Sequence, residues 1–160
     1  MTKASAATTL TTPSDREIVL TRVVEAPRRL VFAAYTIPEH VAHWMLGPEG
    51  WSMLICEIDL RVGGAWRFVW RHADGQEMEL RGVYQEIVPP ERLVCTESWG
   101  ADWPETLNTL LLTELDGKTT LRQRVRYASR EARDAALKTG MTDGMTQSFD
   151  RLADHLATMM

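Results

Sequence analysis

Apolar and polar positions alternate through most of the middle of the chain, and the alternation is plainest between Ala65 and His72. There the two-residue side-chain period of a strand puts Trp66, Phe68 and Trp70 on one face and Arg67, Val69 and Arg71 on the other. Turn signals at Val62-Gly63-Gly64, Ala73-Asp74-Gly75, Val88-Pro89-Pro90, Gly100 to Pro104 and Asp116-Gly117 divide the stretch from Met53 onward into about six antiparallel strands. Two of these show which face is wet. Met78, Leu80, Gly82 and Tyr84 oppose Glu77, Glu79 and Arg81, and Leu121, Gln123, Val125 and Tyr127 oppose Arg122, Arg124 and Arg126. Such a sheet has one apolar face and one solvated face carrying mixed charge, and the apolar face needs a cover.

Helical spacing on either side of these strands supplies one. Glu17 to Val24 reads as a further strand, after which Ala26-Pro27 opens a helix running to about Tyr35, with Leu30, Val31 and Ala34 inward. Pro38 opens a second short helix holding Glu39, His40, Val41 and Trp44, stopped by Gly47-Pro48. From Ser129 onward, Arg130 to Ala157 predicts one long helix whose inner stripe is Leu137, Met141, Met145, Phe149 or Ser148, Leu152 and Leu156. Gly140 and Gly144 fall inside it at about 1 kcal/mol each relative to alanine. They mark either a kink or close pass over the sheet, or room left for a ligand. Thr2 to Pro13 is rich in Thr, Ala and Ser without periodicity and is expected to be disordered, so residues 1–13 form a tail and residues 14–160 a single domain.

Size and composition narrow the function. At 160 residues, 44% hydrophobic and 25% charged, the chain suffices for one full core. It has no run of about 18 apolar residues and no secretory leader, which predicts a cytoplasmic protein without a membrane span. Cys56 and Cys95 both fall in strands and are expected as free thiols. A net charge of -4 offers no basic stripe for a phosphate backbone, which excludes nucleic acid as the expected partner.

Few residues carry chemistry. The run Leu93, Cys95, Glu97, Trp99 puts a carboxylate on an apolar face, where burial would raise its pKa and suit it to general acid or base work. Alternatively a bulge after Cys95 turns Glu97 outward, or it sits in water at a cavity mouth. Gln123 shares the inner parity of its strand and would orient a ligand or satisfy a cross-strand amide. His40 and His43, three apart, with His72 as a third ligand, are the sole metal candidates, and no Cys or carboxylate spacing joins them, so surface histidines are the simpler reading. Arg61 beside Asp59 reads as a turn-stabilising ion pair, and no motif for a nucleotide cofactor or a nucleophile elbow is present. Trp44, Trp51, Trp66, Phe68, Trp70, Tyr84 and Trp99 form either a dry core or the wall of a ligand cavity. Six tryptophans in 160 residues are more than such a core requires, which favours the cavity.

Taken in order, several segments resemble one family. These are Ala26-Pro27 with Val31-Phe32-Ala33-Ala34-Tyr35, Pro38-Glu39-His40 with Trp44, and Gly47-Pro48-Glu49-Gly50. Asp59-Leu60-Arg61-Val62-Gly63-Gly64 with Trp66-Arg67-Phe68, Val83-Tyr84 through Val88-Pro89-Pro90-Glu91-Arg92-Leu93, and Phe149-Asp150-Arg151-Leu152 with His155-Leu156 follow. The chain resembles the START-like (SRPBCC, helix-grip) superfamily, in the branch named for homology to the activator of the heat-shock-protein-90 ATPase. The resemblance implies an α+β helix-grip fold, a curved antiparallel sheet of about seven strands wrapped around a long C-terminal helix with two short helices after the first strand. It also implies a hydrophobic cavity between helix and sheet, but no catalytic residue, metal or cofactor. Where the family usually has Gly-Trp and Trp-Trp, this chain has Gly140-Met141 and Trp44-Met45, which predicts a roomier, more adaptable pocket including Met141 and Met145.

The expected function is therefore binding of a small hydrophobic ligand, lipid, aromatic or polyketide-like, without turnover. Its rivals are an enzyme using Glu97 as acid or base, and a co-chaperone-like interaction module, the latter suggested by the family name alone. A separate domain accompanies the fold in the eukaryotic activator and is not expected here. A homodimer is compatible with the exposed strand edges, though nothing in the sequence specifies one.

Overall fold

The computed structural model describes residues 8–100 and 103–160. Its strands are β1 (Thr9–Thr11), β2 (Glu17–Val24), β3 (Trp51–Ile58), β4 (Ala65–His72), β5 (Glu77–Val88), β6 (Arg92–Glu97), β7 (Thr106–Leu115) and β8 (Lys118–Arg126). Helices α1 (Arg28–Thr36) and α2 (Pro38–Trp44) connect β2 to β3, and α3 (Arg130–Leu137) and α4 (Met141–Met159) follow β8. All strands join one antiparallel sheet in the order β1-β2-β8-β7-β6-β5-β4-β3. This is the α+β helix-grip architecture.

Two elements differ from the sequence expectation. An eighth strand, β1, forms inside the stretch expected to be a disordered tail, pairing Thr9 with Thr21 and Thr11 with Val19. Leu10 between them packs on the core, and this one apolar side chain in a polar run gives β1 its anchor. The rest of the expected tail, residues 1–7, lies outside the described residues. The C-terminal helix is also not continuous. Gly140 has φ +80, a left-handed conformation that ends α3 and starts α4 anew, and an L side chain there would be strained. Gly144 passes close not to the sheet but to the loop between α2 and β3, where a Cβ on it would lie 3.4 Å from Pro48 Cδ.

Helix starts follow ordinary chemistry. The Ser129 hydroxyl accepts the Ala132 N–H at 3.1 Å and caps α3, while Pro38 occupies the first turn of α2, where its missing N–H removes no helical bond. Sheet curvature comes with two bulges. The extra residue Leu54 lets Met53 and Cys56 both face inward opposite Trp70 and Phe68, and Gln85 does the same for Tyr84 and Ile87 opposite Cys95 and Leu93. On the convex face, Arg67 joins Glu57 and Glu79, Arg71 joins Glu77, and Arg124 joins Glu17. These pairs are solvated and each contributes at most about 1 kcal/mol.

The dry core lies toward one side. Ile18 and Leu20 of β2, Leu112 of β7, Leu121 of β8 and Phe149, Leu152 and Leu156 of α4 are each at most 1% exposed. Each such side chain contributes about 1.5–3 kcal/mol on burial, so the C-terminal part of α4 is held to β2, β8 and β7 by the main hydrophobic seam. At its rim the buried Arg22 reaches Asp150 of α4 at 2.8 Å.

Candidate functional site

The register between β6 and β7 runs without a shift from Arg92↔Leu111 to Glu97↔Thr106. No bulge therefore intervenes after Cys95, and Leu93, Cys95 and Glu97 share the concave face with Leu110, Asn108 and Thr106. Leu110 in turn opposes Gln123 of β8, so Gln123 lies on the same face. Cys95, Glu97 and Gln123 belong to central strands and point inward, yet each is only partly buried, as are Met141 and Met145 in the first turns of α4. These side chains thus keep partial exposure beside the start of α4, a shallow cleft whose neighbouring aromatics Trp66, Phe68 and Tyr84 are at most 6% exposed. The sequence pattern builds this cleft: Cys95 and Glu97 on β6 and Gln123 on β8 interrupt inner faces otherwise made of Leu93, Leu121 and Val125.

Its inner corner is a directed hydrogen-bond chain. Gln123 Nε2 donates to Asn108 Oδ1 at 3.3 Å, Asn108 Nδ2 donates to Thr106 Oγ1 at 3.4 Å, and the Thr106 hydroxyl donates to the Glu97 backbone carbonyl at 3.4 Å. Trp99 Nε1 donates to Glu97 Oε1 at 3.2 Å. Burial pushes the Glu97 carboxyl up to about 7, while N–H donors from Trp99 and Asn108 pull the other way. Cys95 and Tyr127 are each pushed up to about 12, by burial first and then by the nearby Glu97 carboxylate. Burial also raises Tyr84, and takes Cys56 up to about 11. On this face the acceptor Gln123 Oε1 is buried without a partner, as are Arg22 Nε, Tyr35 Oη and Arg92 Nε elsewhere among the described residues, while the buried Trp66 Nε1 meets no acceptor stronger than the Cys95 sulfur.

Trp66 lies across Gly82, where a Cβ would come within 2.6 Å of the indole and 1.9 Å of the Thr96 carbonyl oxygen. The missing side chain therefore lets the indole lie against the β5–β6 seam beside Cys95. Phe68 follows Trp66 with ring centroids 4.9 Å apart, and Trp70 stacks on Trp99 at 5.9 Å. Trp99 is 39% exposed and forms the rim. Trp66, Phe68, Tyr84, Glu97, Gln123, Met141 and Met145 thus sit on or over one concave surface, with Trp70 and Trp99 at its edge.

Of the expected wall residues, Trp44 lies apart, and Trp51 shares the inner face of β3 with Met53 at the edge of the sheet. Trp44 is fully buried, with its Nε1 donating to the Ala34 carbonyl at 2.9 Å and its ring edge-on to Tyr35, so it seals α1 against α2. Trp51 packs on His72 on the edge pair β3 and β4. The roomier interior expected beside Met141 is also not a separate void. Met141 packs on the core and takes a weak hydrogen bond from the Tyr127 hydroxyl at 3.5 Å. The open grooves lie outside it: one of about 380 Å³ at the sheet end, bordered by Thr96, Thr106 and Tyr127, and one along α3 bordered by Trp103 and Ala132. Asn108, Thr106 and Tyr127 were not singled out from the sequence. The inner parity of Thr106, Asn108 and Leu110 on β7 was the signal that would have found the first two.

The histidines regroup. His72 stands apart with Asp74 at 3.1 Å, and the third ring beside His40 and His43 is His155 of α4. His40 Nδ1 and His155 Nε2 are 2.9 Å apart, and His43 stacks on His155 with ring centroids at 4.9 Å. A single proton fits between those nitrogens, and burial followed by the two neighbouring rings lowers the His155 pKa. Among the described residues no group of His, Cys, Asp or Glu is placed to hold a metal ion. Arg61 does pair with Asp59, at 2.9 Å, on the exposed turn before β4.

A curved sheet closed by a C-terminal helix, with a partly open concave face, defines the helix-grip class, whose members are in general ligand-binding or interaction modules. The sequence profile described as Activator of Hsp90 ATPase homolog 1-like protein matches residues 25–157, and the chain belongs to this family. A crystal structure of a protein from Rhodobacter sphaeroides is similar at 30% identity and TM-score 0.89, over 96% of this chain and 100% of that one. A protein from Chromobacterium violaceum is similar at 29% identity and TM-score 0.76, over 89% and 98% of the two chains. A protein from Nitrosomonas europaea shares the fold, at 22% identity and TM-score 0.83 over 92% and 98%. No protein of curated function matches the chain. Among the described residues no helix is long and apolar enough to cross a membrane.

Proposed function

We propose that this chain binds an amphipathic small molecule between the start of α4 and the concave face of β4, β5, β6 and β8. The observation that carries the reading is the buried acceptor Gln123 Oε1, which has no partner on a face that also holds the Glu97 carboxyl. An unmet buried acceptor costs about 1–3 kcal/mol, and a ligand that donates to it recovers that energy as affinity. Phe68 and Tyr84 supply flat apolar contact at low entropic cost, and Met141 and Met145 can change rotamer to admit the ligand body. Native mass spectrometry of protein purified from its own cells, followed by solvent extraction, tests this. A co-purifying molecule with an apolar body is the expected result. Protein that is repeatedly empty, with tryptophan emission unmoved by a panel of aromatic and acyl compounds, overturns it.

One observation favours a second reading. A carboxyl held at about 7 in a partly solvated cleft suits proton transfer at neutral pH, so an enzyme acting on the bound molecule would use Glu97 as its acid or base. A Glu97→Gln variant that still binds but loses all turnover would support this. Turnover retained in that variant would exclude it.

A further inference from the structure

The cleft's polar corner contains an acid without a cation. Among the described residues Glu97 enters no ion pair, and the arginines of the flanking strands stand on the convex face, where Arg81 meets Glu79, Arg92 meets Glu86 and Arg124 meets Glu17. The inward-facing arginine, Arg22, is committed to Asp150 at the far side of the sheet. The hydrogen-bond chain from Gln123 to Thr106 spends its donors in one direction, which fixes the Gln123 amide and leaves Oε1 as a bare acceptor. Glu97 and Gln123 Oε1 therefore offer oxygens on either side of Asn108. Aromatic residues border the same face: Trp99 gives its N–H edge to Glu97 and stacks on Trp70, and Trp66 and Tyr84 are buried on the adjoining strands. Oxygen acceptors beside apolar aromatic surface, with no protein cation among the described residues to meet them, suit an organic cation.

We infer that the molecule bound in this cleft is an amphipathic amine, its ammonium group held by the Glu97 carboxylate and Gln123 Oε1 and its apolar body laid along Trp66, Phe68 and Met141. This rests on the binding function proposed above and names the ligand class for it. A neutral alcohol of the same shape uses the apolar wall but leaves the carboxylate unpaired, so the site discriminates by charge.

Proton linkage gives a signature that apolar packing lacks. The other titratable groups facing Glu97 are Cys95 on β6 and Tyr127 after β8, both pushed up to about 12, with Tyr84 on β5 also raised, while the facing turns of α4 present methionines. Glu97 is thus the group here that changes charge between mildly acidic and mildly basic pH. Binding an ammonium ion requires it ionised, so amine affinity falls roughly tenfold for each pH unit below about 7 and is flat above. The experiment is calorimetric titration of the full chain with octylamine and with 1-octanol at pH 5.5 and pH 8. Octylamine should bind at least roughly tenfold tighter than octanol at pH 8, the preference should shrink at pH 5.5, and Glu97→Gln should bring the ratio near one. Octanol binding as tightly as octylamine at pH 8, or an amine preference unchanged in Glu97→Gln, overturns the inference and leaves the binding function standing. If neither compound binds, the amine inference falls, and the native mass spectrometry and ligand panel above decide the binding function separately.

Discussion

Glu97→Gln should make this protein more stable, and only at neutral and basic pH. The folded-state pKa of Glu97 is raised from 4.5 to about 7, so the native state holds a proton that the unfolded chain releases in that interval. The stability this proton confers is complete below about 4.5 and is lost progressively as pH rises toward about 7. The interval of about 2.5 pH units corresponds to about 3 kcal/mol of burial penalty once the carboxylate is ionised. Glutamine has the same shape and still accepts from Trp99 Nε1, but it carries no charge to desolvate. The variant should therefore match the parent near pH 4 and exceed it by about 3 kcal/mol at pH 8. For a chain of this size that is a rise in Tm of roughly 6–12 °C. Thermal denaturation followed by far-ultraviolet circular dichroism across pH 4 to 8 reads the difference directly. A Tm difference that is constant across the range, or a variant less stable at pH 8, would show that Glu97 is solvated in the native state and would refute the argument.

Three further outcomes follow from the geometry. Gly144→Ala should raise stability by about 1 kcal/mol in urea denaturation, because the new Cβ meets Pro48 Cδ at an ordinary 3.4 Å while the helix gains a better former. Gly82→Ala should lower it by about 3 kcal/mol and shift tryptophan emission, since its Cβ would sit 1.9 Å from the Thr96 carbonyl oxygen and 2.6 Å from the Trp66 ring. The lowered pKa of His155 means that its contribution to stability is present above its ordinary value of 6.5 and is lost as pH falls through the lower folded value. Acidification below 6.5 should accordingly destabilise the parent more than His155→Phe, as read by Tm against pH, and equal slopes would exclude a role for the histidine cluster.

Local pattern made most of this fold legible. β4, β5 and β8 announce their inner faces by alternation, and Ala26-Pro27 and Pro38 announce the two short helices. What escaped depends on information that periodicity does not hold. β1 is three residues long, too short to show a period, and forms because Leu10 finds a place on a core built from distant strands. Gly140 is visible as a weak helix former, but its left-handed φ is set by how α3 and α4 each dock. The cleft was half legible. Parity placed Glu97 and Gln123 inward, and only the unshifted register of β6 against β7 settled whether Glu97 stays there. Asn108 went unnoticed because a polar residue inside an otherwise apolar strand gains meaning from its cross-strand neighbours. His155 joins His40 across 115 residues of sequence, a distance that spacing rules do not reach.

The dry seam of α4 and the open start of α4 divide two tasks that many small proteins must satisfy with the same residues. Side chains such as Leu121 and Leu152 are fully buried and secure the fold, whereas Cys95, Gln123, Met141 and Met145 retain contact with water. If the proposed binding function holds, exchanges among the second group would alter which molecule fits while removing little of what keeps the chain folded. The seam can also carry an ionised, half-buried acid that a thinner core would not tolerate. A scaffold partitioned in this way is one on which new specificities can arise by drift at a few inner positions, each step leaving a folded protein for the next.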